Sequence, residues 1–230
     1  MRGALILAMS IAWAVNSSSV IAGQDLSSYR GFQLGMSLDA VATQTGIVSE
    51  ARVVHQRPEL IQELTWEPPR SLGSPPPGES VRKVLLSFYN GQLSRIVVSY
   101  QWDRTEGLTV EDMVEALSVT YGPAMLPATE IASPLSRVYR VYTESDRIVA
   151  HWGDPQHAIN LVRPSYASTF GLVMFSERLD ALARAASVEA IRLDEQEAPG
   201  RAIERQRKQK DEDHARQEKA RTGNKATFQP

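Results

Sequence analysis

The chain has 230 residues, with 25 Lys+Arg against 27 Asp+Glu and no cysteine. A near-neutral balance argues against a general affinity for nucleic acid or anionic membrane. The missing cysteine excludes disulfides and a lipid anchor built on a lipoprotein cysteine, so the fold has to stand on its core.

Met1-Arg2 opens with a positive charge, and Ala4 to Val15 is an uncharged, mostly apolar run of 12 residues. A membrane-spanning helix needs roughly 20. Polar Asn16 to Ser19 follow, then Val20-Ile21-Ala22-Gly23, with Val20 and Ala22 suited to the −3 and −1 positions of a signal peptidase site. Residues 1–22 therefore read as a secretory signal, cleaved between Ala22 and Gly23. An uncleaved anchor lengthened through Val20-Ile21 is the alternative. The expected location is periplasmic or secreted, with no membrane span after cleavage. The lack of cysteine fits a Gram-negative periplasm.

Residues 23–106 are expected to form a first lobe. Gln24 to Arg30 is a polar lead-in. Ser37 reads as the N-cap of a short helix that ends at Gly46, with Asp39 in its first turn. Strands are expected over 51–56 and 60–66, then a proline-rich loop over 68–78. Val81–Tyr89, Asn90-Gly91 and Leu93–Trp102 form the strongest local pattern. Asn-Gly accepts the positive φ of a type I′ turn, and apolar β-formers flank it.

Residues 107–176 are expected to form a second, similar lobe. Thr109 caps a helix, with Asp112 three residues on as a capping-box partner. Val110, Met113, Val114, Leu117 and Tyr121 form its inward stripe, and Gly122-Pro123 ends it. Strands are expected over 137–143, 147–152, 158–163 and 169–175. Leu179, Leu182, Ala183, Ala186, Ala190 and Leu193 then give an amphipathic helix over 177–198, which Pro199-Gly200 should break. Residues 199–230 are a charged tail, helical or disordered, with no apolar face of its own.

The two halves read alike: Gly, apolar residue, Ser/Thr cap, short helix, Gly, about four strands. The fold class expected is α+β: two similar lobes, each a short helix on an antiparallel sheet, plus a C-terminal helical extension. The segment Phe32-Gln33-Leu34-Gly35-Met36-Ser37-Leu38-Asp39-Ala40-Val41 resembles the opening of small exported modules of the outer-membrane assembly lipoprotein type. Those modules and the β-lactamase-inhibitor-protein fold pair helices with an antiparallel sheet. The chain is also similar to exported proteins of Proteobacteria, a resemblance that implies no activity. What these resemblances imply is a binding module, with an aromatic-lined concave sheet face that holds another protein.

Chemistry has few candidates. His151, Asp154 and His157 form the one cluster of possible zinc ligands, set around a Gly-Asp-Pro turn. Ordinary strand-end residues are the favoured reading, so neither a metal nor a cofactor is expected. No Gly-x-Ser-x-Gly elbow, Gly-x-Gly-x-x-Gly or Walker loop occurs. The basic run Arg205 to Lys210 is followed at once by Asp211-Glu212-Asp213, which argues for a solvated face and against nucleic acid. Trp66, Trp102, Tyr139, Tyr142 and Trp152 fall at or near strand ends as candidate partner contacts, with core packing the commoner use of such residues. The expected function is a non-catalytic protein-binding or envelope-associated module with an unknown protein partner in the cell envelope. The alternatives are a small-ligand binder working between the lobes, and a hydrolase without a recognisable motif.

Overall fold

The computed structural model describes residues 24–46, 51–69, 78–127, 131–132, 146–164 and 169–227. The predicted strand over 137–143 lies outside these residues, as do most of the proline-rich loop and the signal segment.

The described chain is α+β, built on antiparallel sheets. Its elements run β1 (Ser28–Tyr29), β2 (Phe32–Gln33), α1 (Leu38–Thr45), β3 (Arg52–His55), β4 (Ile61–Trp66), β5 (Val81–Tyr89), β6 (Gln92–Tyr100), α2 (Trp102–Thr105), α3 (Val110–Tyr121), β7 (Ile131–Ala132), β8 (Asp146–Gly153), β9 (His157–Pro164), β10 (Gly171–Ser176) and α4 (Glu177–Thr227). β1 and β2 form a small hairpin, and the rest form one eight-stranded sheet in the order β3-β4-β5-β6-β10-β9-β8-β7. Each half contributes four strands to this sheet, and the halves are not separate sheets. β6 and β10 pair directly, from Gly171 opposite Ser99 to Phe175 opposite Arg95, so one sheet is continuous across both halves.

Local chemistry explains the helix starts. The Ser37 side chain accepts from the Ala40 N–H, and Gly46 closes α1 in the left-handed region. Thr109 and Asp112 make a reciprocal capping box on α3. The Asn90-Gly91 turn has positive φ at both residues, as the hairpin requires. It also clamps α1: Leu38 donates to the Gly91 carbonyl, and Leu93 donates to that of Met36.

Strand alternation separates two faces. Leu86, Ile96 and Met174 lie in one cross-strand row on the face covered by α1, α3 and the β1–β2 hairpin. Leu26, Tyr29, Phe32 and Leu34 are buried there, so the segment expected to be a polar lead-in is part of the core. Leu85, Val97 and Val173 form the neighbouring row on the opposite face. α4 packs on that second face, with Ala183 and Ala186 against Ile61.

The base of α4 rests on a buried polar layer. Glu63, Ser87, Arg95 and Phe175 stand in one row across four strands. Arg95 is 2% exposed and bonds Asp180 of α4, which is fully buried. Arg184 adds a second contact to Asp180 at 3.0 Å, and the Arg95 guanidinium lies 5.8 Å from the Phe175 ring centre. The apolar stripe predicted for this helix is only partly inward. Leu182 is exposed, because Leu179, Ala183, Ala186 and Ala190 define the face that meets the sheet.

Pro199-Gly200 does not end α4, contrary to the sequence reading: the helix runs through both residues to Thr227. Proline removes an N–H that would bond the carbonyl four residues earlier. Proline and glycine disfavour helix by about 3 and 1 kcal/mol relative to alanine. Across the break, Arg201 donates from Nη2 to the Asp194 carbonyl at 2.8 Å, a contact separate from the Glu195 carbonyl that Pro199 leaves without its helical donor.

Candidate interaction surface

The structure sets His151 apart from the other two proposed metal ligands and places His157 Nδ1 3.5 Å from the Asp154 carboxylate. His151 pairs with Asn160 across β8 and β9, with Nδ1 2.8 Å from the Asn160 Oδ1. Asn160 pairs with Val173, so both sit on the α4 side of the sheet. His157 belongs to the alternate row with Ile159 and Leu161, which face the other way. Asp154 accepts from the N–H groups of Gln156 and His157, at 2.6 and 2.7 Å, which makes it a turn residue. No group of three or more His, Cys, Asp or Glu able to hold a metal occurs among the described residues.

The Asp154 carboxyl is nonetheless perturbed. Partial burial pushes it up, but the two N–H donors and nearby His157 win and hold it below the usual range. A depressed folded pKa contributes stability above the unfolded value of about 3.9 and loses it as pH falls through the folded value. Asp154→Asn keeps an acceptor for the turn and removes the charge. The variant should lose less stability than the parent between about pH 4 and pH 2, read by thermal melts across that range.

The aromatic candidates divide. Trp152 is buried and donates from Nε1 to the Gly122 carbonyl at 2.8 Å, with its ring edge-on to Tyr121. Trp66 meets Phe32 edge-on at 5.5 Å. Both are packing residues. Trp102 is 54% exposed, and it opens the one-turn α2 instead of ending a strand, because β6 stops at Tyr100. Tyr139 and Tyr142 lie outside the described residues. Tyr29, Tyr100 and Tyr121 gather under the β1–β2 hairpin. Burial raises all three phenols, Tyr121 to about 12.

The feature that faces solvent on the largest scale is the far part of α4. Ala190 is the last buried residue of the helix, and from Ala198 to Lys225 every side chain but Asp213 is exposed. At 1.5 Å per residue, the 27 residues from Arg201 to Thr227 make an arm about 40 Å long. The sequence from 201 to 230 carries nine Lys/Arg against five Asp/Glu, whereas 24–200 carries fifteen against twenty-two. An acidic body thus bears a basic arm.

The arm leaves the sheet at the edge strand β3. There Arg57 bonds Glu197 through both guanidinium nitrogens, at 3.0 and 2.7 Å. Arg57 holds the Glu197 carboxyl below its ordinary range, with Arg201 adding to the effect. A groove of about 390 Å³ lies beside this exit, lined by Val53, Val54, His55, Ala190 and Leu193 among others.

No family model, curated protein or solved structure matches the chain. The surface is therefore read from its own chemistry. Sequence reasoning flagged the charged tail, but missed Arg57, Asp180 and Arg95. Asp180–Arg184 and Glu197–Arg201 are both acid-to-base pairs four residues apart on a helix, a signal present in the sequence. Arg57 and Arg95 make contacts 140 and 85 residues away, and no local pattern announces those.

Proposed function

We propose that this chain is an exported, non-catalytic protein-binding module of the cell envelope, and that its partner engages the basic arm Arg201–Thr227. The observation that carries this reading is the arm itself. It is a long helix, polar all round, whose base is fixed to a sheet while its outer side chains, from Ala198 to Lys225, are exposed except Asp213. A polar helix of this kind suits bridging through solvent better than packing within a fold. Its positive balance favours an acidic protein surface and steers the encounter by charge. Direct β6–β10 pairing leaves no cleft between the halves along that seam, which weighs against a ligand held between two lobes. The matching order of helix and strands in the two halves supports an internal duplication, here fused into one sheet.

The test is site-specific photocrosslinking in intact cells, with the reactive group placed at Arg207, His214 or Arg221, which follow one line along the arm. Arg82 and Val119 serve as body positions. One discrete protein adduct from the arm positions, weakening as salt rises, is the expected result. Adducts from the body positions alone would overturn the reading.

A further inference from the structure

We infer that Arg201 is the latch of an ionic hinge at Pro199-Gly200, which fixes the direction of the arm relative to the sheet. The inference goes beyond the proposed binding role and holds whether or not a partner exists.

The hinge has three parts. The first is a weak point in α4: Pro199 supplies no N–H, and Gly200 adds backbone freedom beside it. The second is its position. The residues before it are tied down, by Ala183 and Ala186 on Ile61, by Asp180 on Arg95 and by Glu197 on Arg57. From Arg201 to Lys225 every side chain but Asp213 is exposed. The third is the latch. The Arg201 guanidinium lies beyond the break and reaches back across it. Nη1 lies 3.2 Å from the Asp194 Oδ1 and 3.1 Å from the Glu197 Oε2, and Nη2 bonds the Asp194 main chain at 2.8 Å. Glu197 is shared with Arg57, so the latch connects the arm through the helix to the sheet edge.

The latch is built to respond. Its four side chains are 41–60% exposed, and exposed ion pairs are screened once salt shortens the Debye length to a few ångströms. The direction of the arm then becomes a function of ionic strength, or of any acidic surface that competes for Arg201. Closed, the arm is a fixed rod. Open, it is a tethered helix that sweeps a cone about Pro199.

The absence of cysteine makes distance measurement direct. Two spin-label pairs are introduced into the full chain as cysteines. Arg82→Cys with Lys210→Cys spans the break, and Arg82→Cys with Ala185→Cys stops short of it. The spanning pair should give a narrow distance distribution at low salt. It should broaden about twofold in Arg201→Gln or at 1 M salt, where the Debye length is about 3 Å. The short pair should not change under either condition, which reports an intact base. Adding Pro199→Ala to Arg201→Gln restores the helix bond and should narrow the spanning distribution again. The hinge is overturned if the spanning pair is already broad at low salt, if Arg201→Gln leaves it narrow, or if Pro199→Ala fails to restore it.

Discussion

Asp180→Ala should destabilise the fold by about 3–5 kcal/mol, far more than an exposed ion pair could account for. The Arg95 guanidinium is 2% exposed and stays buried when the carboxylate is removed. Burying that charge without its carboxylate is the dominant cost. The attraction lost is the smaller share, since desolvation of both groups already offsets most of it. The double replacement Arg95→Met with Asp180→Leu should therefore recover most of the loss. Urea unfolding of the two single variants and the double variant closes the cycle. If Asp180→Ala costs under about 1 kcal/mol, α4 is not held at its base by this pair. The function of a buried pair in such a place is registration. It admits one seating of α4 on the sheet, where the small faces of Ala183, Ala186 and Ala190 alone would tolerate sliding.

Leu86→Ala and Leu161→Ala should each cost about 2–5 kcal/mol, and each should move one and the same unfolding transition. Both side chains are fully buried, Leu86 on β5 in the first half and Leu161 on β9 in the second. They belong to one cluster that crosses the β6–β10 seam through Ile96, Leu172 and Met174. Separate lobes would melt in two steps, with each variant lowering only its own. Near-coincident calorimetric profiles for the two variants are expected. A second, unshifted transition in either would refute the single core.

Much of this fold is written locally. Ser37, Thr109 with Asp112, and Asn90-Gly91 each act within a few residues, and caps and a turn form where those residues stand. The inward stripe of α3 likewise packs as its spacing predicts, from Met113 to Tyr121. What stays hidden is non-local. Ser28–Tyr29 and Phe32–Gln33 are two-residue strands, too short to show alternation, and their hairpin turns at Arg30-Gly31. The joining of β6 to β10 depends on which of several apolar strands meet, and every one of them is rich in Val, Ile and Leu. The course of α4 through Pro199 and Gly200 runs against their helix propensities, so a reading from propensity ends the helix there. For the candidate surface, charge was legible as composition. Its display on a fixed arm was not, because that depends on the buried pair at Asp180.

The seam between β6 and β10 also sets a timetable. β6 ends at Tyr100 and its inner neighbour begins at Gly171, so 70 residues must be made before the two can meet. At about 5–20 residues per second, a ribosome leaves that strand edge open for several seconds. During that interval β3 to β6 form a half-sheet with β6, and its Ile96-Val97-Val98 run, as an unprotected rim. Two nascent chains could join there, rim to rim, with the same antiparallel geometry that later closes each chain on itself. Misassembly by this route is a property of synthesis order and not of the finished molecule.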